Sequence, residues 1–472
     1  MLCGSLLLCE VLAYATITYG LQDVAPYLFY RRPAVASPED IERYSEIRDP
    51  VLGWTKVDPV DADGARPSPA FPAPGNACVS VYGDSFAWSS GASSDATAWP
   101  NLLAGSLGCR VSNYGVPAYG VDQAYLRFLH NLDDKARTVL LVVFPHDVLR
   151  NLTRNFGFLS PESGMLWLKP AFRLDGAGGL ELLPVPMLDD SKLHEYLRDP
   201  ARYHRDDPFV WNGPEGGVEL RFPYTRVVVE LLWNRRLWRG VRRSLTSYPA
   251  WADFMQPGHV SGGFELALAI IGQFARVAGE RGKRVMVVVL PDEGTILYYR
   301  KSGAWAYADL VGAIAASGIG VLNLGEALAQ HLGPRDPAEL FNPTLHYNDE
   351  GYRVLAEAVR RALADLGSAP TGRAALQGSG GGLEACRPLG GARRAAKGRD
   401  QRPRRFGRQQ ALLGHDLLEL GQQLGGRRIG AQRVDQPRLD LGPQPAPALA
   451  PALRGEAFAR LESAAMTAHR LP

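Results

Sequence analysis

The chain has 472 residues, 46% of them apolar and 21% charged, an ordinary globular composition with enough apolar residues for a large core. Its net charge of +3 conceals two regions: residues 367–472 hold 17 Arg+Lys against 8 Asp+Glu, a balance of +9, so residues 1–366 hold 35 against 41, a balance of −6. A mildly acidic body argues against nucleic acid as its partner, and five cysteines (Cys3, Cys9, Cys78, Cys109 and Cys386) with no C-x-x-C pair argue against a zinc site of the usual spacing.

Residues 1–20 are mostly apolar, and with 24–30 the run is long enough for the roughly 20 residues that a bilayer crossing needs. Glu10 inside it is a cost. Arg31 and Arg32 follow the run and no basic residue precedes it, a bias that does not favour export of the body. No clear small-x-small cleavage site is present, which favours retention. Residues 1–32 are therefore read as a signal-type anchor that tethers the chain to a membrane; the competing reading is a buried amino-terminal helix. Residues 33–75, rich in Pro, Asp and Ala, read as a linker, with a small apolar island at 49–54 and an extended stretch at 66–75. The folded unit is expected to begin at Asn76.

From there strands and helices alternate. Strand 78–83 precedes helix 95–107, strand 109–113 precedes helix 121–132, and strand 137–144 is an uninterrupted apolar run. The alternation breaks at 152–262, a stretch too long for a plain loop, with five of the nine tryptophans (Trp167, Trp211, Trp233, Trp238, Trp251). It reads as an inserted cap or subdomain. Within it, 224–245 has the pattern of one basic amphipathic helix, which either contacts a membrane surface or packs its Val, Leu and Trp inward. Alternation resumes with helix 263–280, strand 284–290, helix 303–317, strand 319–323, helix 325–332 and helix 349–366, the last with apolar residues at helical spacing. Five strands alternating with helices predict a parallel sheet covered by helices on both faces. Residues 367–472, dominated by Gly, Arg, Gln, Pro and Ala, cannot supply a core and read as a disordered basic tail. Cys78 and Cys109 each precede a strand; if those strands are neighbours a disulfide is geometrically possible, the alternative being two buried thiols.

Gly83-Asp84-Ser85 ends the first strand, where open α/β sheets place their ligands. A serine hydroxyl needs a base to take its proton and donors around the oxyanion that follows. Three later stretches offer these at neighbouring strand ends: Asn113-Tyr-Gly115-x-Pro-x-x-Gly120, Phe144-Pro-His146-Asp147-Val-Leu-Arg150-Asn151, and Leu345-His346-Tyr-Asn-Asp-Glu-Gly351. In order and spacing these four blocks resemble those of the SGNH/GDSL esterase–lipase superfamily over residues 76–366, interrupted by the insert. The layout of an anchor, then residues 49–54, then Gly-Asp-Ser is similar to that of membrane-tethered bacterial members.

The resemblance implies a flavodoxin-like three-layer α/β/α sandwich with a five-stranded parallel sheet and a long insert between the third and fourth strands. It implies Ser85 as nucleophile, His346 as its base, and oxyanion donors from the Ser85 and Gly115 amides and a third-block side chain. Two departures stand out. The third-block asparagine is His146, which either donates to the oxyanion in its place or is a structural histidine bonded to Asp147. The family's acid three residues before the base is Pro343, so Asn342, Thr344 or a main-chain carbonyl is left to hold the ring. The Gly-x-Ser-x-Gly elbow of α/β-hydrolases is absent, since Ala87 replaces the second glycine. The expected function is a serine esterase cleaving an acyl ester, plausibly acetyl, of a carbohydrate or other small ester, with no cofactor or metal and with its catalytic domain on the periplasmic side of the cell membrane. The alternatives are a polysaccharide O-acetyltransferase, which shares the acyl-enzyme, and a non-catalytic carbohydrate-binding protein of the same fold.

Overall fold

The computed structural model describes residues 2–21, 29–30, 37–55, 59–160, 167–186, 188–205, 207–210, 218–246 and 248–368. Five strands, β1 (Val79–Tyr82), β2 (Val111–Asn113), β3 (Thr138–Val143), β4 (Arg284–Val289) and β5 (Gly320–Asn323), form one sheet. Its order is β5–β4–β3–β1–β2 and every pairing is parallel. Val79 pairs with Val111 on one side and Thr138 on the other, and Val143 pairs with Val289. β1 and β3 are buried along their whole length, as central strands of a parallel sheet under two helical layers must be. Helices Trp99–Leu107, Leu324–Leu332 and Asp349–Ser368 pack together as one layer; Val121–His130, Gly263–Glu280 and Ala308–Ala316 form the other. This is the parallel sheet with helices on both faces that the alternation predicts, in the three-layer flavodoxin-like arrangement that the resemblance implies. Helix Asp349–Ser368 buries Tyr352, Leu355, Ala356 and Val359, its predicted apolar face. The strand order reverses at β1, between β2 and β3, and a crevice at such a switch point is where ligands bind in this architecture.

Several elements differ from their sequence-based outlines. Helix 95–107 is split: a single 3-10 turn, Asp95–Thr97, is followed by an extended Ala98 and then by Trp99–Leu107. Pro100 sits in the first turn of that second piece, where its missing N–H is not needed. Helix 303–317 is shorter, Ala308–Ala316, and is preceded by a helix that the sequence reading did not include, Glu293–Ser302. Asp292 caps that preceding helix by accepting from the Thr295 N–H at 2.6 Å, and Gly303, at φ +72°, ends it. The expected helix 224–245 is also two, Tyr224–Leu232 and Arg235–Thr246, parted at Trp233 and Asn234.

The linker expected at 33–75 is corrected by the described part of that range. Helix Pro38–Ile47 is closed by a Ser37–Asp40 capping box, and Leu52, Trp54, Ala65 and Ser68 are buried. The Trp54 indole donates to the Pro117 carbonyl at 3.2 Å, and the Gln123 amide donates to the Leu52 carbonyl at 2.8 Å. The Arg110 guanidinium donates to the Phe71 carbonyl at 2.6 Å. Proline-rich composition suggests an extended tether, but these apolar and hydrogen-bonded anchors hold the segment against the body, so the folded unit starts well before Asn76.

Cys78 and Cys109 form a disulfide across the amino ends of β1 and β2, with Cα atoms 6.1 Å apart. The stretch between β3 and β4 holds a hairpin (Ala171–Leu174 with Leu180–Leu183), helices Asp190–Arg198, Pro200–Tyr203, Tyr224–Leu232 and Arg235–Thr246, and the 3-10 segment Ala250–Met255. Trp167 and Trp251 are buried, Trp233 and Trp238 are exposed, and Trp211 lies outside the described residues. A buried ion pair fastens this stretch to the core: Lys169 Nζ contacts the Asp122 carboxylate and donates to the Arg150 carbonyl at 3.0 Å. At the amino end, helix Leu2–Thr16 continues as one π turn, Ile17–Leu21. By length and composition it is apolar enough to cross a membrane. Residues 22–28 and 31–36 of the anchor and linker, and 369–472 of the expected tail, lie outside the described residues.

Candidate active site

β1 delivers its chain end into a tight turn that only glycine allows. A Cβ on Gly83 would lie 2.9 Å from the Val142 carbonyl oxygen and 2.9 Å from the Ala87 methyl, so the neighbouring strand and the next turn close on it from both sides. Asp84 then caps the short helix Ser85–Trp88: its Oδ1 accepts from the Phe86 N–H at 3.0 Å and the Ala87 N–H at 3.4 Å, and its carbonyl accepts from the Trp88 N–H at 2.9 Å. The Phe86, Ala87 and Trp88 amides of that turn are thus taken up, and no hydrogen bond from the Ser85 N–H is seen among the described residues. The Ser85 hydroxyl is buried and makes no hydrogen bond with them either. A second support lies beneath. The Arg150 guanidinium, wholly buried, contacts Asp84 Oδ2 at 3.4 Å and Asp147 Oδ1 at 3.0 Å and donates to the Tyr119 carbonyl at 3.0 Å. The aspartate of Gly-Asp-Ser is thus ion-paired to the third block.

Gly115 presses against the Ser85 turn. A Cβ there would meet the Trp88 nitrogen at 2.5 Å and the Ala87 methyl at 2.8 Å, so any larger residue pushes the second block off the nucleophile. Its N–H, the expected oxyanion donor, is held by Asn113 Oδ1 at 3.0 Å. That side chain also donates to the Trp88 carbonyl at 3.3 Å.

His346 is buried in a tight loop between the bridge-paired Phe341 and Tyr347. Leu345 takes φ +63°, a conformation a branched side chain seldom adopts. Asn342 organises this loop: its Oδ1 accepts from the Thr344 N–H at 3.0 Å, the His346 N–H at 3.1 Å and the Thr344 hydroxyl at 2.7 Å. The single hydroxyl proton of Thr344 is therefore committed to Asn342. Thr344 Oγ1, 3.0 Å from His346 Nδ1, can only accept there. This sets the tautomer: Nδ1 carries the proton in the neutral ring and Nε2 presents the lone pair, as a general base requires. Of the three candidates for orienting His346, the structure selects Thr344, backed by Asn342.

His146 lies on the other flank. Its Nε2 is 3.4 Å from Asp292 Oδ2, and both groups are buried. Asp147, the alternative partner, instead accepts from the Phe144 N–H at 3.0 Å and pairs with Arg150. Burial pushes the Asp292 carboxyl up, but the His146 imidazole and the donors of Thr295 outweigh it and hold the group below its ordinary value. Asp292 is a site residue that sequence reasoning missed. Pro291-Asp292 directly follows β4, and the strand-end rule that singled out Ser85 and His146 applies equally to it.

The two histidines are joined through a row of rings. His346 lies 5.0 Å from Phe86, Phe86 4.5 Å from Phe144, Phe144 4.9 Å from His146 in parallel stacking, and His146 5.5 Å from Trp251. Phe86 directly follows Ser85, so the His346 ring borders the nucleophile turn, and His146 is linked to it through Phe144. The four sequence-selected positions, Ser85, Gly115, His146 and His346, meet at one sheet edge, and all three side chains among them are buried.

No family model matches the chain, and no curated protein matches it. Among solved structures it is similar to a protein assigned to the lipolytic G-D-S-L family from Desulfitobacterium hafniense DCB-2, with 13% identity over 61% of this chain and 99% of that one, at a TM-score of 0.30. It is similar to TesA, with 13% identity over 61% of this chain and 98% of that one at a TM-score of 0.30. It is also similar to LAE5, an alpha/beta hydrolase enzyme from the metagenome of Lake Arreo, Spain, with 12% identity over 62% of this chain and 98% of that one at a TM-score of 0.31.

Proposed function

We propose that the chain is a serine hydrolase of the SGNH/GDSL type, acting on an ester through an acyl-Ser85 intermediate. The observation that carries the reading is the His346 loop, because the Asn342–Thr344 relay leaves Nε2 of a buried histidine as a proton acceptor beside the Phe86 ring that follows Ser85. In this mechanism His346 takes the Ser85 proton as the hydroxyl attacks the acyl carbon. The Ser85 N–H receives the developing oxyanion. Gly115 contributes its amide once the acylating substrate displaces Asn113 from it, and His146 contributes a ring donor in place of the family's asparagine. With Nε2–H given to Asp292, His146 donates to an oxyanion through Nδ1 only as the imidazolium, a state that the buried Asp292 carboxylate favours. His346 then returns its proton to the leaving alcohol, and water or an acceptor sugar completes hydrolysis or transfer.

The closed site, with all three side chains buried, favours a small acyl group such as acetyl. A carbohydrate acceptor is supported by the resemblance of the amino-terminal layout alone. The Cys78–Cys109 disulfide supports an oxidising, extracytoplasmic compartment for the body, and the apolar helix Leu2–Thr16 supports a membrane anchor. An alkaline-phosphatase fusion at residue 75 is expected to be active; an inactive fusion overturns the export reading.

One observation favours a second assignment of the base: the carboxylate absent beside His346 is present beside His146. The test is p-nitrophenyl acetate turnover and fluorophosphonate labelling of the full chain, compared with Ser85→Ala, His346→Ala and His146→Ala. Loss of labelling in Ser85→Ala and His346→Ala, with His146→Ala still labelled, supports the mechanism above. Loss in His146→Ala with His346→Ala still labelled moves the base to His146. Equal slow turnover by wild type and Ser85→Ala, without labelling, removes the enzyme reading and leaves the carbohydrate-binding alternative.

A further inference from the structure

Glu10 is the only charged residue within residues 2–21, and a carboxylate inside a membrane-spanning helix is costly unless it is paired. The structure shows its partner. The Glu10 carboxylate accepts from the Tyr224 N–H at 2.5 Å, from the Thr225 N–H at 3.3 Å and from the Thr225 hydroxyl. It thereby caps the nine-residue helix Tyr224–Leu232, whose first amides and positive dipole end suit an anion. Tyr14 and Tyr224 pack with ring centroids 5.0 Å apart, and Ile17 shares a buried apolar cluster with Val227, Leu231 and Leu237. The insert helix therefore lies along the apolar helix from the level of Glu10 towards Leu21, on the side of the body.

Much of what these elements leave outward is apolar, beside the exposed Arg226–Glu230 ion pair. Leu6, Leu7, Leu8, Val11 and Leu12 are each more than half exposed on the amino-terminal helix. On the insert, Phe222, Trp233 and Leu245 are 71%, 75% and 79% exposed, and Val229, Leu232 and Trp238 are at least half exposed. Water-soluble surfaces seldom carry so many large apolar side chains together. The charge on the same segment is opposite to that of its surroundings. Helix Arg235–Thr246 has five arginines and no acidic residue, within a body of net −6 over residues 1–366. A cleft at helix Tyr224–Leu232 is lined by Arg221, Phe222, Pro223, Arg226 and Glu230, the last two paired at 2.8 Å. Arginine on a helix with exposed Trp and Leu is the composition of segments that lie in the headgroup layer of anionic membranes.

We infer that the insert is a second membrane contact: Tyr224–Leu232 enters an anionic phospholipid bilayer beside the amino-terminal helix, clasped to it through Glu10, and Arg235–Thr246 lies in the headgroup layer. This inference rests on the anchor reading of that helix. It assigns the insert the task of fixing how the catalytic edge stands over the membrane, and it makes the amino-terminal helix a retained part of the folded protein.

The full chain, reconstituted in vesicles of phosphatidylcholine with 30% phosphatidylglycerol, provides the test when part of the lipid carries dibrominated acyl chains, which quench nearby tryptophans. Quenching is expected in wild type, and the Trp233→Phe/Trp238→Phe variant is expected to lose at least half of it. Quenching that is absent, or unchanged in the variant, overturns the second contact while leaving the anchor intact. A chain that does not float with the vesicles overturns the anchor reading and the inference together. Equal quenching in pure phosphatidylcholine overturns the anionic part. Disulfide cross-linking between copies at Trp233→Cys in the vesicles shows that a second copy covers the face, and overturns the lipid contact.

Discussion

Replacing Thr344 with valine keeps the shape of the side chain and removes the oxygen that bonds His346 Nδ1. Thr344 Oγ1 accepts the Nδ1 proton at 3.0 Å and passes its own to Asn342 Oδ1 at 2.7 Å. A neutral hydrogen bond of this kind contributes about 0.5–1.5 kcal/mol to the ground state, and about 1.5–3 kcal/mol once one partner is charged. The ring becomes cationic as Ser85 attacks, so the difference falls on the transition state. Thr344→Val is therefore expected to lower kcat by roughly 5- to 15-fold with little change in KM. That is far short of the ~10⁴-fold cost of disabling the aspartate in a full triad, because the relay here is neutral from the start. The assay is pre-steady-state and steady-state cleavage of p-nitrophenyl acetate, with thermal unfolding to confirm an intact fold. A kcat within about twofold of wild type in a folded variant refutes the relay. Thr344→Asp supplies the carboxylate that Pro343 denies, and it is expected to shift the acidic limb of the kcat profile to higher pH, since a nearby anion favours the cationic ring.

His146→Ala is expected to lower kcat by roughly 10²-fold, as loss of one oxyanion donor does. His146→Asn, an amide that donates at any pH, is expected to recover most of that loss and to flatten the alkaline limb; identical pH profiles for wild type and His146→Asn refute the imidazolium role. Reduction of Cys78–Cys109, which closes a loop of 31 residues, is expected to lower stability by about 3–4 kcal/mol, read from the denaturant midpoint with and without dithiothreitol. Asp207 is buried, and burial pushes its carboxyl up to about 7 against the donors of Thr153, Phe209 and Arg154. A group whose pKa is raised by folding stabilises most when protonated in both states, so this contribution is full below pH ~4 and fades as pH rises through about 7, by at most about 4 kcal/mol. The unfolding temperature of wild type is expected to fall between pH 5 and 8 more than that of Asp207→Asn, and parallel curves refute the assignment.

Much of this molecule is legible because its signals are local. The apolar runs of β3 and β4 mark buried parallel strands, and the 3.6-residue spacing of Tyr352, Leu355, Ala356 and Val359 marks the closing helix. Each is a property of a few consecutive residues. The candidate site inherits this clarity, since Ser85, Gly115 and His146 sit within a few residues of strand ends, and a parallel sheet brings its strand ends to one edge. Boundaries are less legible where one residue type serves two purposes. Gly303 reads as a helix start and is a helix stop, and the prolines of 66–75 read as a tether although Arg110 and the Asn113 carbonyl pin that segment to the core.

The pairings that make the candidate site specific, and those that hold the amino-terminal helix, belong to the tertiary structure. Composition and periodicity show that no carboxylate stands before His346; only the folded loop shows that Thr344 and Asn342 take its place, because Leu345 turns the chain back on itself. Nothing near His146 in sequence announces Asp292, nothing near Glu10 announces Tyr224, and nothing near Cys78 states that Cys109 faces it. Each partner arrives from a distant element whose position depends on strand order and on the path of the insert. A buried charge must be satisfied somewhere, and sequence alone states that need, whereas the group that meets it is decided by which chain ends the packed layers bring together.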